Sequence, residues 1–246
     1  MSGFSLHIQH KTYPNGVEAL RDCRLHAAPG EFVAIVGPSG AGKSTLLNIV
    51  AGLDRDFTGE LNLPETSQSK GQLSFMFQEP RLMPWLTVRD NVQLVLPPHQ
   101  QRTQATDLLL EAVGLSAFAQ AFPAQLSGGM RRRVALARAF VGQPSLLLMD
   151  EPFTSLDAPT ATALRQLLLD LWQDQSPTVL FVTHQLTEAL ALADRIVFMS
   201  DRPARVIHEH ACTGTRPREL DLGTQQAAAD QLLSNYPGLL QGHPRV

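Results

Sequence analysis

Apolar Phe4, Leu6 and Ile8 alternate with polar Ser5, His7 and Gln9, the period of two that a half-buried strand requires. Pro14-Asn15-Gly16 then marks a turn. A second strand-turn unit leads through Ala28-Pro29-Gly30 into Glu31-Phe32-Val33-Ala34-Ile35-Val36, whose continuous apolar run fits a strand buried on both faces. Gly37 to Gly42 follows as a glycine-rich loop, and Lys43 to Val50 continues with helical character. Gln72 to Gln78 reads as another strand, ahead of a proline-punctuated stretch from Glu79 to Trp85. From Val88 to about Val141 the pattern is mostly helical; Gln104 to Val113 carries an apolar face and stops at Gly114, a suitable helix cap. A strand signal returns at Ser145 to Met149. It is followed by a helix at Ala158 to Gln173, with Ala161, Leu164, Leu168 and Leu171 at helical spacing. Thr178 to Val182, a helix near Leu186 to Leu192 and Arg195 to Met199 complete the alternation. This order predicts an α/β fold, a mainly parallel sheet covered on both faces, with a helical lobe inserted between strands. After Ala211 the chain is polar and weakly patterned, and no function attaches to it.

Composition narrows the picture without changing it. With 246 residues, 43% hydrophobic and 17% charged, the chain suits a folded domain, or a domain plus a lobe, rather than a disordered protein. A net charge of -3 provides no general attraction for nucleic acid or acidic lipid, so membrane contact requires a shaped surface. No segment approaches the roughly 20 apolar residues of a membrane-crossing helix. Met1 to Gln9 lacks the basic and apolar regions of a secretory signal, and Cys23 and Cys212 form no metal or redox motif. The expected setting is a reducing cytoplasm.

Two motifs carry chemistry. Gly37-Pro38-Ser39-Gly40-Ala41-Gly42-Lys43-Ser44 matches G-x-x-x-x-G-K-[ST] between a buried strand and a helix, with Thr45 next in line. A triphosphate is a dense anion that needs many unobstructed donors. Glycines let the backbone wrap it, and the helix aims free N–H groups and its positive dipole end at it. Lys43 would bridge the β- and γ-phosphates of ATP, and the Ser44 hydroxyl would ligate Mg2+. The second motif is Asp150-Glu151, at the end of the apolar run Leu146 to Met149. A buried strand delivers both acids to the carboxyl edge of the sheet, where Asp150 can hold the magnesium shell and Glu151 can activate water. Two acids that end a strand in solvent would look the same in isolation.

Leu126-Ser127-Gly128-Gly129-Met130, followed by a basic, alanine-rich helix from Arg131 to Val141, resembles the signature of the ABC ATPase family. The resemblance runs from about residue 5 to residue 210. It implies a P-loop (RecA-like) core at 1–84 and 144–210, with an antiparallel β portion near the N-terminus. It further implies a helical signature subdomain at 85–143 and a C-terminal tail at 211–246. It also implies a head-to-tail homodimer in which each ATP lies between one P-loop and the signature Ser127, Gly128, Gly129 and Met130 of the other copy. Met130 stands where glutamine is usual, a variant that resembles the nitrate, sulfonate and taurine importer branch. Other positions fall in register. Gln78 resembles the residue that senses the γ-phosphate and magnesium, and His184 the switch histidine. Asp157 resembles the loop that links the two sites across the dimer, and Tyr13 the aromatic that stacks on adenine. Singly, these are a polar strand end, a structural histidine, a helix cap and a turn-flanking tyrosine. Trp85, with Met83 and Leu86, is either core or part of a groove for a permease helix; the resemblance favours the groove. Its further implications are ATP hydrolysis at the cytoplasmic face of the inner membrane, transmembrane permease subunits, an indirect extracytoplasmic solute-binding protein and no nucleic acid. A cassette for another solute, or a soluble ABC ATPase of DNA repair or translation, is the alternative.

Overall fold

The computed structural model describes residues 3–63, 73–101, 104–214, 218 and 222–243. The alternating start forms β1 (Phe4–Thr12), which pairs antiparallel with β2 (Glu18–Ala27) on one side and β4 (Thr58–Asn62) on the other, giving the sheet order β2-β1-β4. β4 escapes the sequence pattern because Thr58-Gly59-Glu60 is polar and exposed; pairing with β1, rather than its own periodicity, makes it a strand.

The apolar runs form the six-stranded sheet. Its strands are β3 (Phe32–Val36), β5 (Leu73–Met76), β6 (Leu146–Asp150), β7 (Thr178–Val182), β8 (Arg195–Met199) and β9 (Val206–Ala211), in the order β5-β6-β7-β3-β8-β9. All neighbours are parallel except β8 and β9. Burial on both faces explains the unbroken hydrophobicity: Phe32, Ala34, Met149 and Phe181 enter one core, Val33, Ile35, Leu148 and Leu180 the other. β5 ends at Met76, so Gln78 lies beyond the strand it was expected to end; Gln72, its expected start, lies outside the described residues.

On one face sit α1 (Lys43–Val50) and the antiparallel sheet. The other carries α2 (Val88–Gln93), α3 (Gln104–Ala112), α4 (Gly128–Phe140), α5 (Ala158–Gln175), α6 (Leu186–Leu192) and α7 (Leu222–Asn235). Gly114, at φ 70, ends α3 in the left-handed conformation that glycine adopts without strain. Within the tail, α7 is a helix where no element was assigned. α7 packs along α6, and its Gln225, Ala229 and Leu232, at i, i+4 and i+7, are buried. One glutamine and one alanine in that stripe are enough to hide it from a hydrophobicity pattern. Among the described residues, no helix is long and apolar enough to cross a membrane.

Candidate nucleotide site

Parallel strands put their carboxyl ends on one edge, so loops far apart in sequence meet there. β3 runs into the glycine loop, β6 ends at Asp150, and β7, which separates them, leads to Thr183 and His184. α1 begins at Lys43 with Gly42 as its N-cap at φ 106, a conformation that side chains resist; a Cβ there would also lie 3.1 Å from Ala19 O. No side chain caps α1 and no acid lies in its first turn, so its N–H groups and dipole end face outward uncompensated. Lys43 is buried, and its Nζ donates to the carbonyls of Gly37 and Pro38, each at 2.8 Å. Burial lowers its pKa, while the nearby Glu151 and Asp150 work the other way.

The Ser44 hydroxyl hydrogen-bonds the Asp150 carboxyl. Burial pushes the Asp150 pKa up, and the Ser44 bond and Lys43 charge oppose that rise. Glu151 follows in the left-handed region, φ 45, with its N–H donated to Val182 O at 2.9 Å. Its Oε2 accepts from Thr154 Oγ1 at 3.1 Å and lies 3.0 Å from His184 Nδ1. A carboxylate with one hydroxyl donor and one imidazole neighbour can take a proton from water and has a route to share it. Tyr13 Oη and Thr45 Oγ1 are 2.8 Å apart, and the Lys11 ammonium sits 4.9 Å from the Tyr13 ring centroid. A cleft of about 750 Å³ is lined by Tyr13, Ser44, Asn48, Asp54, Phe77 and Asp150 among others.

The structure therefore gathers Tyr13, Lys43, Ser44, Thr45, Asp150, Glu151 and His184 on one side of the molecule. It does not bring the signature to them. Ser127 caps α4, accepting the Met130 N–H at 3.2 Å, and none of Ser127 to Met130 lines that cleft. Asp157 caps α5, accepting from Thr160 N at 3.0 Å and Thr160 Oγ1 at 2.8 Å. The Gln78 side chain is exposed, and its carbonyl accepts from Arg132 at 3.0 Å. Trp85 is 71% exposed, so the core alternative for it is set aside.

Arginines on α4 were missed by sequence reasoning. Buried Arg132 also donates to Pro152 O at 2.6 Å and to Thr154 O, and Arg138 donates to Pro80 O at 2.6 Å and Arg81 O at 3.0 Å. α4 thus grips both the segment after β5 and the turn after Glu151. A signal existed: Arg132, Ala135, Leu136 and Ala139 form one buried i, i+3, i+4, i+7 stripe. For a metal, no group of three His, Cys, Asp or Glu side chains among the described residues could hold one. The Ser44 hydroxyl and Asp150 carboxylate suit Mg2+, a hard cation that keeps waters and substrate phosphates in its shell.

Comparison with known proteins bears on the family. The ABC transporter family model matches residues 20–154. The aliphatic sulfonates import ATP-binding protein SsuB 2 of Pseudomonas syringae pv. tomato is 47% identical over 204 residues, 83% of this chain and 85% of that protein. SsuB of Cupriavidus necator is 47% identical over 224 residues, 88% and 72% of the two chains. Among solved structures, the dimeric ATP-binding cassette MJ0796 in a post-hydrolysis state with ADP and Pi matches with a TM-score of 0.72 and 34% identity. That match covers 86% of this chain and 100% of the other. The matched span holds the glycine loop, the Ser127 helix start and the Asp150-Glu151 pair, and on these grounds the chain belongs to the ABC transporter family.

Proposed function

We propose that this chain is the ATP-hydrolysing subunit of a membrane importer for small anions of the sulfonate type. The observation that carries the reading is the meeting of Lys43, Ser44, Asp150, Glu151 and His184 at one sheet edge, beside an uncompensated helix N-terminus. Residues 37 to 45 cradle the triphosphate, Lys43 neutralises its β- and γ-oxygens, and Tyr13 supports the adenine. Ser44 and Asp150 hold Mg2+, with Gln78 reaching its shell. The ion supplies charge neutralisation on the phosphates. Glu151 accepts the proton of the attacking water, and His184, hydrogen-bonded to it, contacts the γ-phosphate.

Ser127, Gly128, Gly129 and Met130 open a second helix N-terminus that serves the nucleotide of another copy, and Asp157 joins the two sites across the pair. The dimeric state of the related cassette supports this arrangement. Residues 85–143 form the lobe that moves with nucleotide, the 1–84 and 144–210 segments the catalytic core. The chain works at the cytoplasmic face of the membrane against permease subunits. An extracytoplasmic solute-binding protein meets those subunits instead of this chain. The sulfonate preference follows from the names of the relatives.

The test is ATP binding and phosphate release by the chain assembled with its permease. Glu151→Gln keeps ATP binding and slows hydrolysis by about 10²–10⁴-fold, the usual worth of a general base. Lys43→Ala abolishes tight binding. Near-normal turnover by Glu151→Gln removes that residue from the role, and unchanged affinity in Lys43→Ala removes the cradle.

A further inference from the structure

The turn between β8 and β9 reaches the glycine loop from outside. Arg202 donates to Gly40 O from Nε at 2.8 Å and from Nη2 at 2.6 Å. Gly40 is left-handed, φ 76, and the next N–H, that of Ala41, donates to Pro38 O at 3.2 Å. The Gly40–Ala41 peptide is therefore held at both ends, its oxygen by Arg202 and its N–H by Pro38. Pro38 O is also one of the two acceptors of Lys43 Nζ. A short chain of hydrogen bonds runs from Arg202 through one peptide to the phosphate-binding lysine.

That turn is itself braced from two sides. Ser200 N donates to Arg205 O at 2.9 Å, and Ala204 N to Ala19 O at 2.9 Å. From the other side comes the 238–243 segment. Gly242, at φ 80, lies flush on the turn: a Cβ there would run into Asp201 N and sit 2.8 Å from Ser200 C. His243 Nε2 lies 3.2 Å from Asp201 Oδ2.

We infer that Arg202 is a positioning residue for nucleotide binding, locking the glycine loop in its anion-receiving shape, and that the 238–243 segment sets Arg202 through Asp201. This rests on the ATP reading above. A loop that wraps an anion must turn its carbonyls away from it, and an outward carbonyl bonded by a two-pronged cation cannot flip inward. Arg202 acts through the Gly40 carbonyl, so its loss affects binding more than the chemical step.

The experiment is a titration of the full chain with Mg2+ and a fluorescent ATP analogue, alongside ATP turnover of the permease complex. Arg202→Ala weakens binding and raises KM by roughly fivefold to tenfold, the scale of one exposed charge-assisted bond, and leaves kcat within about twofold. Arg202→Lys recovers part of the loss, since one ammonium replaces a fork. Gly242→Ala weakens binding in the same sense, and the double variant is no weaker than Arg202→Ala alone, because both act on one turn. His243→Ala serves the same cycle if Gly242→Ala does not fold. Wild-type affinity in Arg202→Ala, or additive losses in the double variant, overturns the inference. Failure of the unsubstituted chain to bind MgATP overturns the ATP reading instead.

Discussion

Glu188 is 4% exposed, yet it carries a carboxylate whose two oxygens are both engaged. One accepts from Arg165 Nη1 at 3.1 Å, the other from Thr183 Oγ1 at 2.7 Å, and Thr183 Oγ1 in turn accepts the Gln185 N–H at 3.1 Å. The two residues that flank His184 are thus tied to an ion pair in the interior. Removing one partner of such a pair strands the other charge away from water. Arg165→Met is expected to lower unfolding free energy by about 3–5 kcal/mol in a urea titration. A change below about 1 kcal/mol, the worth of an exposed pair, would mean that water reaches Glu188 and that the tie does not anchor the His184 loop. Glu151 is constrained in another way. Its left-handed backbone is a conformation that costs a side chain about 1–3 kcal/mol, and the Val182, Thr154 and His184 contacts hold it there.

Strands β3, β8 and β9 and the end of β2 share one electrostatic knot. Arg195 on β8 donates to Glu31 beside β3 at 2.8 and 3.2 Å, to Glu209 on β9 at 2.8 Å, and to His26 O on β2 at 2.7 Å. Burial works to raise the Glu31 pKa, but the Arg195 bond and the Ala28 N–H outweigh it and leave the carboxyl below the ordinary glutamate range. A depressed carboxylate adds stability that is complete above its unfolded-state pKa and disappears as pH falls through the folded one. Glu31→Gln therefore lowers the urea midpoint at about pH 7, and the gap to the unsubstituted chain closes as the pH falls through the depressed folded-state pKa. A gap that stays constant across that window would show that the Glu31 charge contributes nothing to joining these strands.

A single copy leaves two kinds of surface unused. The Ser127 helix start lies outside its own nucleotide cleft. Trp85 is 71% exposed, two residues from Met83, which lines a cleft of about 360 Å³ with Phe75, Phe77, Leu94 and Val95. Asn91, fully buried, shapes that region by bonding Met83 through both N–H and carbonyl, plus the carbonyls of Leu86 and Thr87. On the proposed function the first surface serves a second copy and the second a short permease helix, because aromatics and methionine anchor interfaces. Light scattering is expected to find Glu151→Gln dimeric with MgATP and monomeric with MgADP. Trp85→Ala should retain that dimer while weakening permease capture by about tenfold or more, as for an interface anchor. Retained capture would place the permease elsewhere.

Much of this was readable along the chain because it is local. The apolar runs, the glycine loop into α1, the Ser127 cap and the Asp157 cap each involve residues within about two helical turns, so backbone periodicity alone writes them into the order of residues. The resemblance added a dimer and switch positions as expectations. What the linear order left open is contact between remote polar groups, which obey no period. Ser44 against Asp150, Glu151 against His184, Arg132 across two loops and Arg202 on Gly40, 162 residues away, exist because sheet order and helix packing bring those backbones together. β4 and α7 belong with them: their own residues are too polar or too small to signal an element, and backbone pairing with β1 makes the one a strand as burial against α6 makes the other a helix.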